Sequence, residues 1–173
     1  MTLTYAKVLR EIGRQHFAVL STSDTSGTPA SAGVTYGLAP SGTTIYVMTR
    51  RHLQKVRNIT ATQDVSLVVP IPRKLMWTLP PATIQLRGRA EIVDWTDTEA
   101  CGVFSGFWLG RQILNSYEQL HERGETRICF LRIDLDSVIR TYMVGTSLWQ
   151  ARSRMESGSA TVIRPGIPES PIE

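Results

Sequence analysis

Short β-branched and aromatic runs, set apart by turns rich in Gly, Pro, Ser and Asp, recur along the whole chain and constrain its fold more than any other feature. Phe17–Leu20 reads as a strand. Ser23-Asp-Thr-Ser-Gly27 reads as a turn, because these residues bond their own backbone or tolerate positive φ. Residues 29–38 resume as a strand, which makes the first pair a hairpin. Pro40-Ser-Gly42 is the next turn and Thr43–Thr49 the third strand. Val65–Val69, Ile84–Val93, Ile128–Leu135 and Val138–Val144 follow as further strands, with Gly88 a bulge or bend. Such a series predicts a mainly β fold with flanking α, a closed or partly open antiparallel barrel of six to seven strands.

Helical spacing is confined to three places. In residues 4–15, Tyr5, Val8, Leu9 and Ile12 share a face, with Thr4 as a cap. His52–Ala61 is a short helix. Between Asp94 and Arg123, Val103, Phe104, Phe107, Ile113, Leu114, Tyr117 and Leu120 recur at helical spacing, capped by Thr96 or Asp97. Gly102, Gly106 and Gly110 interrupt that stretch, which can be one helix or two. Pro70, Pro72, Pro80 and Pro81 make residues 70–82 a long loop, whose Leu75, Met76 and Trp77 need cover from a ligand or a second subunit. From Gly158 the chain is rich in Gly, Ser and Pro, so 1–157 reads as one domain and 158–173 as a flexible tail.

Charge and cysteine usage narrow the function classes. A net charge of +4 suits an anionic cofactor, nucleic acid or an anionic membrane, but no block of five or six basic residues exists. Aromatics are 8% and fall mostly in core patterns, so a nucleic-acid-binding small barrel is the weakest alternative. Cys101 and Cys129 lie in apolar runs without a CxxC, and His16, His52 and His121 are far apart, so no metal site is expected. Buried free thiols, no apolar leader and no run of 18 apolar residues point to a cytoplasmic protein without a membrane span.

The segment Ile45–Ile59 carries the chemistry. A buried strand ends at Thr49, the basic turn Arg50-Arg51-His52 comes next, and a helix then carries Lys55. A hydroxyl, two guanidiniums, an ammonium and the free amides of a helix N-terminus would converge on one spot, suited to a phosphate. Further on, Thr83, Gln85 and Arg87 alternate onto one strand face, where they are solvated or bond a polar heterocycle.

The pattern turn-Gly27-x-Pro29, Tyr46-x-x-Thr49-x5-Lys55, Val65-Ser-Leu67 and Gly88-Arg-Ala-Glu91 resembles the pyridoxamine 5′-phosphate oxidase-like family of flavin-binding split barrels. The resemblance covers residues 5–93 well and the rest loosely. It implies an antiparallel split barrel, a homodimer with FMN at the subunit interface, and an FMN-dependent oxidoreductase acting on a small-molecule substrate. It carries Thr49 and Lys55 over to the FMN phosphate, while the family's Ser and Arg fall on Leu53 and Gln54, leaving Arg50 or Arg51 to compensate. The family's flavin-contacting Gln falls on Thr83, with Gln85 as its substitute, and backbone around Val47 and Met48 would hold the ring edge. Met76 and Trp77 could cover the ring, and Trp149-Gln150 resembles a C-terminal Trp-Gln of the true oxidase. The oxidase's Arg and Lys after the hairpin Pro are replaced by Ala32 and Gly37, and its Arg-His-Asp segment is missing, so oxidation of pyridoxamine phosphate is not expected. The family also includes deazaflavin-dependent reductases and haem-binding members. Haem would need His16, His52 or His121 as an axial ligand.

Overall fold

The computed structural model describes residues 3–72, 81–144 and 159–165. In chain order these form α1 (Tyr5–Arg14), β1 (Phe17–Ser23), β2 (Pro29–Leu38), β3 (Thr44–Arg50), α2 (Gln54–Ala61), β4 (Asp64–Ile71) and β5 (Ala82–Asp94). Then come α3 (Thr98–Ser105), α4 (Trp108–Glu122), β6 (Ile128–Leu135), β7 (Val138–Tyr142) and β8 (Ser159–Ile163). All strand pairings are antiparallel, in the order β4-β1-β2-β3-β6-β5-β7-β8, and a β4–β5 pairing closes six of the strands into a barrel. The expected mainly β barrel is the observed fold.

Strand alternation fills the barrel. Leu20, Ile45, Val47, Leu67, Val69, Ile84, Leu86, Leu131 and Ile133 point inward as one apolar core. Helix α1 adds Val8 and Ile12 to it, and α2 adds Val56 and Ile59. Thr4 caps α1 as expected, accepting a bond from the Lys7 N–H. The long helical stretch is two helices, α3 and α4, which turn at Gly106 and Phe107. This hairpin buries Ala100 and Phe104 against Tyr46, Met48, Ile128 and Phe130 on the outside of β3 and β6. Strand β3 therefore has apolar matter on both faces, and Thr44–Thr49 is buried without interruption.

Strand β5 changes partners at Gly88, pairing with β6 over 88–94 and with β7 over 83–85. A Cβ at Gly88 would collide with the Asp134 carbonyl oxygen, so the close crossing requires glycine. The β2–β3 ladder covers only Ile45–Val47, whereas the β3–β6 ladder runs from Thr44 to Arg50. The barrel thus splits between β2 and the end of β3, and among the described residues no strand pairs with the β2-side backbone edge at Met48–Arg50.

The C-terminal segment corrects one expectation. Composition predicts a flexible tail from Gly158, but residues 159–163 form β8 and pair with β7. Ala160-Thr161-Val162-Ile163 is β-compatible, with Val162 buried against the core. The surrounding Gly, Ser and Pro content hides it. Leu75, Met76, Trp77 and Trp149 lie outside the described residues.

Candidate functional site

Strand alternation and the β2–β3 split decide which predicted residues can meet. Val47 and Thr49 point into the barrel, where Val47 belongs to the core and Thr49 is 2% exposed. Met48 and Arg50 point the other way, toward the α3–α4 layer. The Arg50 guanidinium lies over the Tyr117 ring, 5.7 Å from its centroid, and its Nε is buried without a hydrogen-bond partner. Arg51 donates its backbone N–H to the Arg127 carbonyl at 2.7 Å and places its guanidinium 4.0 Å from the exposed Asp94 carboxylate. The two arginines of the turn therefore lead away from each other.

Lys55 is placed differently. It stands in the first turn of α2, whose N-cap residue Leu53 makes no side-chain cap bond. The leading amides of the helix thus lack the usual Ser, Thr, Asp or Asn acceptor. The Lys55 side chain is half-buried, and that burial lowers its pKa. Among the described residues no carboxylate forms an ion pair with it. Gln54, at the family's Arg position, is committed elsewhere, donating to Asn58 Oδ1 at 2.7 Å and accepting from Arg57. Asn58 in turn donates to the buried Thr22 Oγ1 at 3.0 Å, which ties α2 to β1.

A second constellation lies on the outer face of the sheet. Register places Gly33, Val19, Val68, Gln85, Arg140 and Thr161 side by side, one from each of β2, β1, β4, β5, β7 and β8. The neighbouring row is Ser31, Ser21, Ser66 and Arg87, in which the Ser21 and Ser31 hydroxyls are 2.9 Å apart. On the other side lie Pro70, Thr83, Tyr142 and Ser159. Phe17, 52% exposed, adds an aromatic to this face. Three contiguous grooves of about 460, 460 and 300 Å³ cross it. The middle groove is lined by Ser66, Gln85, Arg87, Asp136 and Arg140 among others, and the third by Thr83, Gln85, Arg140, Tyr142 and Thr161 among others.

Thr83, Gln85 and Arg87 thus share the outer face as their alternation predicts. Ser66, Arg140 and Thr161 were missed by sequence reasoning. The alternation Val138, Arg140, Tyr142 is a signal for one of them, but only the strand order shows that they flank Gln85. None of the residues 47–55 lines the three grooves, so the two constellations are separate regions of the described surface.

The histidines are largely engaged. His16 stacks on Phe107 at 3.8 Å, with its Nδ1 3.4 Å from the Tyr36 carbonyl. His121 packs on Trp95, with Nδ1 3.2 Å from the Glu125 carbonyl. His52 is exposed on the turn before α2. Among the described residues no helix is long and apolar enough to cross a membrane.

A six-stranded antiparallel barrel that splits beside a basic turn defines a split-barrel protein. A model of the pyridoxamine 5′-phosphate oxidase family matches residues 5–139, and the chain belongs to that family. No curated protein matches it. Solved structures share the fold at low identity. The heme storage protein HutZ from Vibrio cholerae superposes with a TM-score of 0.61 at 14% identity, covering 79% of this chain and 94% of that one. A heme binding protein from Mycobacterium smegmatis gives 0.68 at 18%, covering 94% of this chain and 59% of the other. An F420 reductase gives 0.50 at 18%, covering 75% of this chain and 93% of the other.

Proposed function

We infer that the chain is a flavin-type oxidoreductase that binds FMN, with Lys55 as the phosphate anchor. The observation that carries this is Lys55 itself. A half-buried ammonium without an acidic partner among the described residues, in the first turn of a helix with no side-chain N-cap, leaves charge and amides ready for an anion. Thr49 and Arg51 precede it in sequence, and the backbone edge at Met48, unpaired among the described residues, offers hydrogen bonds to a ring edge. Thr83 and Gln85 supply polar contacts on the outer face, where Val19, Val68 and Phe17 give apolar floor. Because the basic turn and this face are separate, a homodimer that brings one subunit's turn to the other's face is the natural assembly. A bound flavin supplies hydride and electron transfer, while the chain binds, orients and shields it.

A deazaflavin also carries a phosphate-bearing tail and would use the same anchor. Haem is less favoured. Two solved relatives in fold are heme proteins, but His16 and His121 are engaged in ring contacts with Phe107 and Trp95, which leaves His52 on the turn before α2. Titrating the purified protein with FMN, with the deazaflavin cofactor F420 and with haemin separates the three. FMN binding at one per chain, with quenched flavin fluorescence, supports this reading. An unchanged FMN signal at all protein concentrations overturns it.

A further inference from the structure

We propose that the row Gln85–Arg140–Thr161 is the seat of an anionic group, a carboxylate or phosphate, on the small molecule that the protein transforms. The three residues are consecutive neighbours across β5, β7 and β8, and all three are exposed on the outer face. All three side chains can donate hydrogen bonds: an amide NH2, a planar guanidinium and a hydroxyl. A guanidinium fork matches a carboxylate or phosphate in two parallel bonds.

The charge balance of the groove supports an anion. Among the described residues, the groove around Thr83, Gln85, Arg140, Thr141, Tyr142, Ser159, Ala160 and Thr161 contains no acidic side chain, and Arg140 is its charged group. Among the described residues neither Arg140 nor Arg87 has a carboxylate within ion-pair distance. Arg87 adds a second cation in the adjoining groove, which Arg140 also lines and where, among the described residues, Asp136 supplies the negative charge. The anion therefore belongs at Arg140, on the side away from Asp136. Thr83 and Ser159 stand one row further along and offer hydroxyls to the same groove.

That the seated molecule is a substrate rests on the flavin reading, since Gln85 would serve both the ring and the seat. The seat itself does not depend on a flavin.

The test uses the full chain without added cofactor, titrated with succinate and with inorganic phosphate by calorimetry at low salt. At least one of them is expected to bind saturably with a millimolar or lower Kd that weakens with salt. Arg140→Gln is expected to weaken that binding at least tenfold and Thr161→Val severalfold, while Arg89→Gln, outside the grooves, leaves it unchanged. Circular dichroism confirms that each variant is folded. FMN affinity of Arg140→Gln is expected to stay within about threefold of the parent. No saturable binding of either anion, or equal binding by Arg140→Gln, overturns the seat. So does an Arg140→Gln variant that loses FMN while keeping the anions. Anion binding that persists in a parent chain unable to bind FMN sustains the seat and removes the flavin reading instead.

Discussion

The phenol of Tyr46 on β3 donates a 2.6 Å hydrogen bond to the Glu99 carboxylate on α3, fastening the helical hairpin to the outside of the barrel. Tyr46 is buried in the apolar cluster beneath the α3–α4 hairpin, and desolvation, with the Glu99 bond and charge, pushes its pKa up. Tyr36, whose hydroxyl donates to the Ile12 carbonyl at 2.7 Å, is raised by burial as well. For both groups the folded pKa exceeds the unfolded value. Their contribution to stability is complete below about pH 10 and is lost as pH rises toward the folded pKa values. Urea midpoints are expected to fall steeply above about pH 10, and less steeply in Tyr46→Phe. At neutral pH, Tyr46→Phe should cost about 1 kcal/mol, because Glu99 is exposed and water offsets part of the lost bond. A flat midpoint between about pH 10 and 11.5 would contradict this.

Substitution of Lys55 tests the proposed cofactor binding and stability separately. Its pKa is lowered by burial, so the charged form is disfavoured in the fold, and stability should rise slightly as pH climbs through the folded value. Lys55→Met is expected to leave apo stability unchanged or raise it by at most about 0.5 kcal/mol, since the half-buried charge is partly screened. The same variant should weaken FMN binding by about 1.5–3 kcal/mol, roughly 10- to 150-fold. Removing Arg51 as well should bring the loss to about 2–4 kcal/mol with non-additivity. Fluorescence titration and thermal denaturation of each variant read the two effects independently.

Arg50 is expected to behave as a packing residue. Replacing it with Met gives up a cation–π contact with Tyr117, about 0.5–1 kcal/mol, but also removes a buried Nε without a partner. The two effects oppose each other, so stability should move by less than about 1 kcal/mol. FMN affinity should stay within about threefold. A collapse of affinity in Arg50→Met would place that guanidinium on the phosphate.

Gly37 on β2 sets how closely the helical hairpin can approach. A Cβ there would collide with Val103 Cγ1 and come within 3.2 Å of the Phe107 ring. Gly37→Ala is expected to destabilise by about 1–3 kcal/mol through overpacking. Adding Val103→Ala should recover much of that loss, a coupling that a double-mutant cycle in urea measures directly. Strict additivity would show that the hairpin accommodates the methyl elsewhere.

Part of the layout of the candidate site was legible in local chemistry. The spacing Thr49-x5-Lys55 located the turn, and alternation placed Thr83, Gln85 and Arg87 on one face. Spacing could not show that Arg50 and Arg51 diverge, because Arg50 ends β3 against Tyr117 of α4 while Arg51 starts the turn and reaches Asp94 at the end of β5. Nor could it show that Gln54 is committed to Asn58 and Arg57.

By itself the sequence determined the first seven strands, the turns between them, the Thr4 cap and the family, because these rest on residue type and short spacing. Tertiary structure alone decided three things. Strand order brought Val68, Gln85, Arg140 and Thr161 into one row across residues 68–161, because pairing of distant strands is a long-range choice. The α3–α4 layer turned β3 into a strand buried on both faces. Pairing with β7 made a strand of Ser159–Ile163, whose flanks read as tail, since a β-bridge partner supplies the hydrogen bonds that local composition cannot.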